Sequence, residues 1–454
     1  MAQPLMPKAT AVWLVENTAL TFEQIAGYCG LHTLQIQAIA DGEVAAGMQG
    51  LNPTLSGQLT KSEIERCEAD SSARLKTSKP KIPLPKPKNK GARYTPISKR
   101  QDRPDAIAWL IKNYSEPISK LAFAGSPFED IKVQELIQQI ESRRKAEKKL
   151  PTWHNTEGIY YPKKLNIEQT SSEITAKYKA SLLKGKTVAD CTGGFGVDSY
   201  YFSKQAEHVT HFEINSTLSS IANHNFKQLD APNVTCKAVD GVKAIQKEFY
   251  DSIYIDPSRR HETKGKVFFL KDCEPNIPLY LSEILNSCQL LLVKTAPMLD
   301  ISIGLEELKH VFEIHIVAVN NEVKELLWLL KADYNGSVKK VTKNFKKNET
   351  ETYSFTYNET AEAFYDEPKR FLYEPNAAIL KSGAFSLLSK DFKLKKLHEH
   401  THLYTSEALR NFPGRRFMIE AVLPYSKKEL KNQGIKKANI TTRNFPESVS
   451  TIRK

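Results

Sequence analysis

Four acids follow four short apolar runs between residues 187 and 256. Asp190 follows residues 187–189, Glu213 follows His208–Phe212, Asp240 follows residues 234–239, and Asp256 follows Tyr250–Ile255. The first acid opens the stretch Asp190-Cys-Thr-Gly-Gly-Phe-Gly196, so Gly193, Gly194 and Gly196 form a turn ahead of an amphipathic run over residues 197–204. Glycine in such a turn lets the backbone come within contact distance of a ligand, because side chains there would block the approach. The spacing is not G-x-G-x-x-G, and no Lys-Ser/Thr follows as a phosphate loop requires. Taken alone, the turn could equally be an ordinary strand-to-helix connection. Glu213 changes the balance. It lies about 20 residues on, where a nucleotide-binding α/β unit places a carboxylate to accept both ribose hydroxyl protons. Asp256 is followed by Pro257, Ser258, Arg259 and Arg260. A carboxylate with a neighbouring backbone carbonyl can hold the N–H bonds of an exocyclic amine and aim its lone pair. A guanidinium can stack on a base or bind phosphate. The other reading of Arg259 and Arg260 is a pair of solvated charges beside a turn.

Acids at the ends of successive strands share one rim only if the strands are parallel neighbours, because ligands in open parallel sheets bind at the carboxyl ends. The pattern therefore predicts a doubly wound α/β core. Ahead of it, residues 131–148 read as an amphipathic helix. Beyond it, residues 310–319 read as a strand and residues 323–330 as a helix.

Together these residues resemble the class I S-adenosylmethionine-dependent methyltransferases. The resemblance implies that Asp190 with Gly193, Gly194 and Gly196 faces the methionine part of the cofactor, that Glu213 binds the ribose, and that Asp240 lies near adenine. It places Asp256 and Pro257 at the methyl acceptor, with Arg259 and Arg260 toward the substrate. Residues 166–173 (NIEQTSSE), 293–300 (VKTAPMLD) and 373–376 (YEPN) look like the bacterial THUMP-like-domain methyltransferases, a resemblance that runs from Ser126 to the end. It implies RNA as substrate. Amino-methyltransferases of this class carry Asp-Pro-Pro-aromatic after the fourth strand, with the ring stacking a flipped base. Here Ser258 stands at the second proline and Arg259 at the aromatic position.

The chain carries 65 Lys+Arg against 52 Asp+Glu, a formal charge of +13, which favours polyanionic partners. Six cysteines without a C-x-x-C pair or zinc-type spacing argue for neither a disulfide framework nor a metal. Cys191, Cys273 and Cys288 read as small buried hydrophobes. His398, His400 and His402 alternate as on one face of a strand. No apolar run is long enough for a membrane span and no signal-peptide pattern opens the chain, so the cytoplasm is the expected compartment.

The first 60 residues have a different character, with Lys8 as their one Lys or Arg. Residues 7–16 suit a helix. Residues 21–40 have a helix-turn-helix layout in which Thr21 caps, Ile25 and Ala26 face inward, Gly30 turns, and Ile36 and Ile39 pin the second helix. That helix offers only His32, Gln35 and Gln37 to base edges. Residues 74–103 interleave lysine and arginine with Pro80, Pro83, Pro85 and Pro87, a stiff basic linker able to track phosphates or to serve as a solvated spacer. Residues 1–120 resemble the TrcR cell-cycle transcriptional regulator family, on Pro7-Lys-Ala-Thr-Ala-Val-Trp-Leu-Val15 and on residues 103–112.

The expected order is thus a helix-turn-helix domain at 1–70, a basic linker at 71–103, and a helical preface at 104–165 with a fusion seam near 118–126. A methyltransferase core at 166–300, an α+β extension at 301–370, and a THUMP-like domain at 371–454 that resembles one stopped before its final strand complete it. The reading is a chimeric methyltransferase acting on an RNA base, with DNA as a further partner through the N-terminal domain. The alternative is a DNA-binding regulator carrying a passive methyltransferase-like segment.

Overall fold

The computed structural model describes residues 4, 6–41, 50–55, 57–78, 103–259, 269–434 and 437–453. The chain divides into two units, Met1–Arg93 and Tyr94–Lys454.

In the first unit, helix Pro7–Asn17 opens on a proline whose missing N–H costs the first turn nothing. Thr21 caps helix Phe22–Cys29 through a capping box. Its Oγ1 accepts from the Gln24 amide at 3.3 Å, and Gln24 Oε1 accepts from the Thr21 amide at 2.8 Å. Gly30, at φ +65°, ends that helix before Thr33–Ala40 begins. Leu14, Ile25, Cys29, Ile36 and, from helix Lys61–Ala69, Cys67 form the core, with Ile39 packed at its margin. The helix-turn-helix layout is present as expected. The basic residues Lys79–Arg100 lie outside the described residues. Arg103 does not belong to a free linker: it stands just ahead of helix Pro104–Lys112 and pairs with Asp105 and Asp130, both at 2.8 Å.

The second unit opens with its helical preface. Helices Pro104–Lys112 and Ile118–Ala124 pack on helix Val133–Lys149, where Arg144 donates to the Tyr114 carbonyl at 2.9 Å and to the Glu116 carbonyl at 2.7 Å. The expected seam is therefore bridged by hydrogen bonds.

A nine-stranded sheet follows: β1 Thr187–Asp190, β2 His208–Phe212, β3 Val234–Lys237, β4 Tyr250–Ile255, β5 Cys288–Thr295, β6 Val311–Val319, β7 Glu322–Leu330, β8 Lys339–Phe345 and β9 Thr350–Thr356. The spatial order is β9-β8-β6-β7-β5-β4-β1-β2-β3. Strands β1 to β5 pair in parallel, while β7 runs antiparallel between β5 and β6. Alternate side chains serve two cores. Ala189, Ile253, Leu291, Val293 and Trp328 face one side, and Val188, Val209, Tyr254, Leu292 and Leu327 face the other with Trp153 of the preface.

Residues 323–330, expected as a helix, belong to the interior strand β7. Its residues 325–330 are all buried, and a strand covered on both faces carries a continuous apolar run that periodicity cannot tell from a buried helix. Residues 398–402, expected as a strand face, form the turn between Lys395–Lys396 and Tyr404–Ser406. These two segments, Phe371–Pro375 and Gly414–Met418 make a separate antiparallel sheet of four strands. Within it Glu374, of residues 373–376, pairs with Arg415 and Arg443. Helix Ala377–Ser382 ties this sheet to the larger one. Lys340 Nζ donates to the Ser382 carbonyl at 3.0 Å, and Asn321 Oδ1 accepts from the Ala377 amide at 2.8 Å. Among the described residues no helix is long and apolar enough to cross a membrane.

Candidate active site

The carboxyl ends of β1 to β4 open on a cavity of about 440 Å³, within the range of small-molecule sites. Gly193, Gly194, Glu213, Asp240 and Asp256 all line it, so five of the expected site residues meet at one place. A Cβ on Gly193 would overlap the imidazole of His211 on β2, and one on Gly196, at φ +86°, would overlap the Phe226 ring. Here glycine is required by space, and the backbone of residues 193–194 forms the cavity wall. Glu213 is fixed by two amides: Gly194 N–H donates to Oε2 at 2.9 Å and Asn215 N–H to Oε1 at 2.8 Å. Asp240 caps the short helix Gly241–Ala244, accepting from the Val242 amide at 3.1 Å. Asp256 stands at the opposite edge. Its amide donates to Thr192 Oγ1 at 2.7 Å and its Oδ2 meets Lys294 Nζ at 2.5 Å.

Asp190 is placed differently from its expected role. It is 1% exposed and lies beneath the turn, where Oδ2 accepts from Ser199 Oγ at 2.6 Å and Oδ1 from the Thr192 amide at 3.2 Å. Burial pushes its carboxyl up to about 7, against the pull of the Ser199 hydrogen bond. It shapes the turn from below and does not line the cavity; Gly196 and Pro257 also stand outside the lining. The backbone of Ser258–Arg259 pairs with Cys273–Glu274, and Arg260 lies outside the described residues. Cys191, Cys273 and Cys288 are buried, as expected of small core residues.

Several lining residues carry no strand-end signal. Asn166, Gln169, Thr170 and Ser171, from the end of helix Lys164–Gln169 and the turn after it, close one side, within the family-like residues 166–173. Asp198, in helix Val197–Ser203, also lines the cavity and accepts from Ser171 Oγ at 2.7 Å. Behind it Lys179, wholly buried, lies 2.9 Å from Asp198 and 3.4 Å from Glu325 of β7. Burial opposes the charge on Lys294, yet Asp256 and Glu325 hold its ammonium above the ordinary lysine range. Burial raises the Glu325 carboxyl, with Lys179 and Lys294 pulling the other way.

The family comparisons divide the chain in three places. Residues 34–123 match the transcriptional cell cycle regulator TrcR, residues 371–413 a ferredoxin-like domain, and residues 414–454 a THUMP domain-like model. The segment expected as one THUMP-like domain is thus covered by two models. No curated protein matches the chain. Among solved structures, a candidate methyltransferase from Porphyromonas gingivalis W83 is 31% identical, covers 78% of this chain and 92% of its own, and superposes with a TM-score of 0.70. A candidate methyltransferase from Streptococcus mutans, solved in complex with SAH, is 18% identical over 35% of this chain and 95% of its own, at a TM-score of 0.26. The chain belongs to the class I S-adenosylmethionine-dependent methyltransferases, with a THUMP-like C-terminal segment and, over residues 34–123, a TrcR-like segment.

Proposed function

We propose that the second unit binds S-adenosylmethionine in the cavity at the ends of β1 to β4 and methylates RNA. The observation that carries this reading is Glu213, held by the Gly194 and Asn215 amides with its carboxylate on the cavity wall. The residues fit the cofactor. The Gly193–Gly194 backbone leaves room for the methionine portion, Glu213 can accept both ribose hydroxyls, and Asp240 borders the adenine end. When bound, the cofactor supplies a methyl group already activated on a sulfonium, so the protein has mainly to align donor and acceptor. Asp256, across the cavity from Glu213, is the residue to orient the acceptor and take its proton. RNA is supported by the THUMP-like match and by the charge of +13.

Calorimetric titration with S-adenosylmethionine, and transfer of a tritiated methyl group to total bacterial RNA, test the reading. Binding with measurable heat and RNA-associated label is expected. No heat at millimolar cofactor, from protein with a cooperative unfolding transition, would overturn it.

A second reading concerns the first unit alone. Its capped helix-turn-helix and the TrcR match support DNA as a partner for that part of the chain.

A further inference from the structure

Five ionisable side chains from five separate segments, the acceptor acid among them, converge at one end of the sheet. Asp256 follows β4, Lys294 is on β5, Glu325 is on β7, Asp198 is in helix Val197–Ser203, and Lys179 is in helix Glu173–Leu182. Lys294 pairs with Asp256 at 2.5 Å; Lys179 pairs with Asp198 at 2.9 Å and with Glu325 at 3.4 Å. Lys179 is 0% exposed and Glu325 is 2% exposed. Glu325 Oε1 has no hydrogen-bond partner among the described residues. Burying such a set is a poor route to stability. Each ion gives up its hydration, and apolar side chains of similar volume would pack there without that loss. This cluster reaches the ligand cavity through Asp256 and Asp198, which both line it, so its charges are placed to act on a bound acceptor.

The sign of that charge discriminates between acceptors. An amine acquires positive charge as the methyl group arrives, and an ammonium bonded to the adjoining acid opposes this. A hydroxyl must give up its proton, so its oxygen becomes electron-rich, and the same ammonium favours it. The geometry points to a hydroxyl acceptor, and we propose that this site methylates the ribose 2′-hydroxyl of RNA, with Lys294 stabilising the oxygen and Asp256 taking the proton. The proposal rests on the methyltransferase reading of the cavity and narrows its acceptor. The O–H bond breaks and its proton passes to Asp256, while the oxygen takes the methyl group from the sulfonium donor. The S–CH3 bonding pair returns to sulfur, leaving a neutral thioether, and the proton then leaves Asp256 for solvent. Lys294 keeps its own proton throughout, because Asp256 and Glu325 hold its charge in place against the cost of burial. An ammonium has three donors, enough to serve Asp256 and the acceptor oxygen together. Ribose is favoured over a base because the sequence departs at Ser258 and Arg259 from the Asp-Pro-Pro-aromatic run whose ring stacks a flipped base.

The full chain with tritiated S-adenosylmethionine and RNA provides the test, because alkali cannot cleave the linkage after a 2′-O-methylated ribose. Label recovered in alkali-stable dinucleotides is the expected result. Label in mononucleotides would mean base methylation, overturning this proposal and leaving the methyltransferase reading intact. No label in any RNA would overturn both. A 2′-deoxy oligonucleotide of an accepted sequence should take no label. Lys294→Met should lose transfer by about a hundredfold with cofactor affinity by calorimetry within about twofold, and Lys294→Arg should recover part of the loss. If Lys294→Met folds and transfers like the parent, the assignment of Lys294 is wrong.

Discussion

Glu213 and Asp190 are two acids at the ends of neighbouring strands with opposite uses. Glu213 has both oxygens fixed by amides and still borders the cavity, so it meets a ligand already oriented. Glu213→Ala should weaken S-adenosylmethionine binding by about 1–3 kcal/mol through loss of charge-assisted contacts, a change calorimetry resolves directly. Asp190 is buried, and its value of about 7 stands above the ordinary range of a carboxyl. An acid raised on folding binds more protons in the native state, so its contribution is fully present below about pH 4 and is lost as pH rises toward 7. Asp190→Asn should therefore gain stability relative to the parent between pH 4 and 7 in urea titrations. A constant difference across that window would show that Asp190 ionises freely. The strand-end acids were legible because each lies at or within three residues of the end of its strand. Lys179, Lys294 and Glu325 were not. Lys179 and Glu325 are 146 residues apart, and only the strand order brings them together.

Among elements, β1 to β4 were legible because acids and glycines end them, and residues 187–189, 208–212 and 250–255 were read close to their observed limits. Strand β7 was misread because its leucines serve both faces of the sheet. Its centre is Trp328, wholly buried, whose Nε1 donates to Thr295 Oγ1 at 2.9 Å across β5. Helix Ile301–Glu307 crosses the same ring at Gly304, where a Cβ would overlap the indole. Gly304→Ala should cost about 1–3 kcal/mol by overpacking, despite the gain in helix propensity. Urea unfolding checks this, and a loss below about 0.5 kcal/mol would mean that the helix can move off the indole.

At the scale of the whole molecule, the first unit has a core of its own. Its helix Thr33–Ala40 is poorly equipped for sequence recognition. Gln35 Oε1 accepts from the His32 amide, and Gln37 Nε2 donates to Asp41, so both glutamines already have partners. Lys79–Arg100 hold most of the nearby positive charge. DNA binding by the full chain should therefore be weak and unselective. It should fall by about tenfold or more between 50 and 200 mM salt, and should disappear when residues 79–102 are deleted. Tight, salt-insensitive binding to one promoter in a gel-shift titration would refute this. The place of β7 between β5 and β6 has a consequence during synthesis. Until residue 330 has left the ribosome, β5 has no partner on its far side and Lys294 lacks Glu325. A nascent chain that has emerged through Leu330 can complete the donor and acceptor pockets, whereas one that has emerged only as far as Glu322 presents β5 with an open apolar edge.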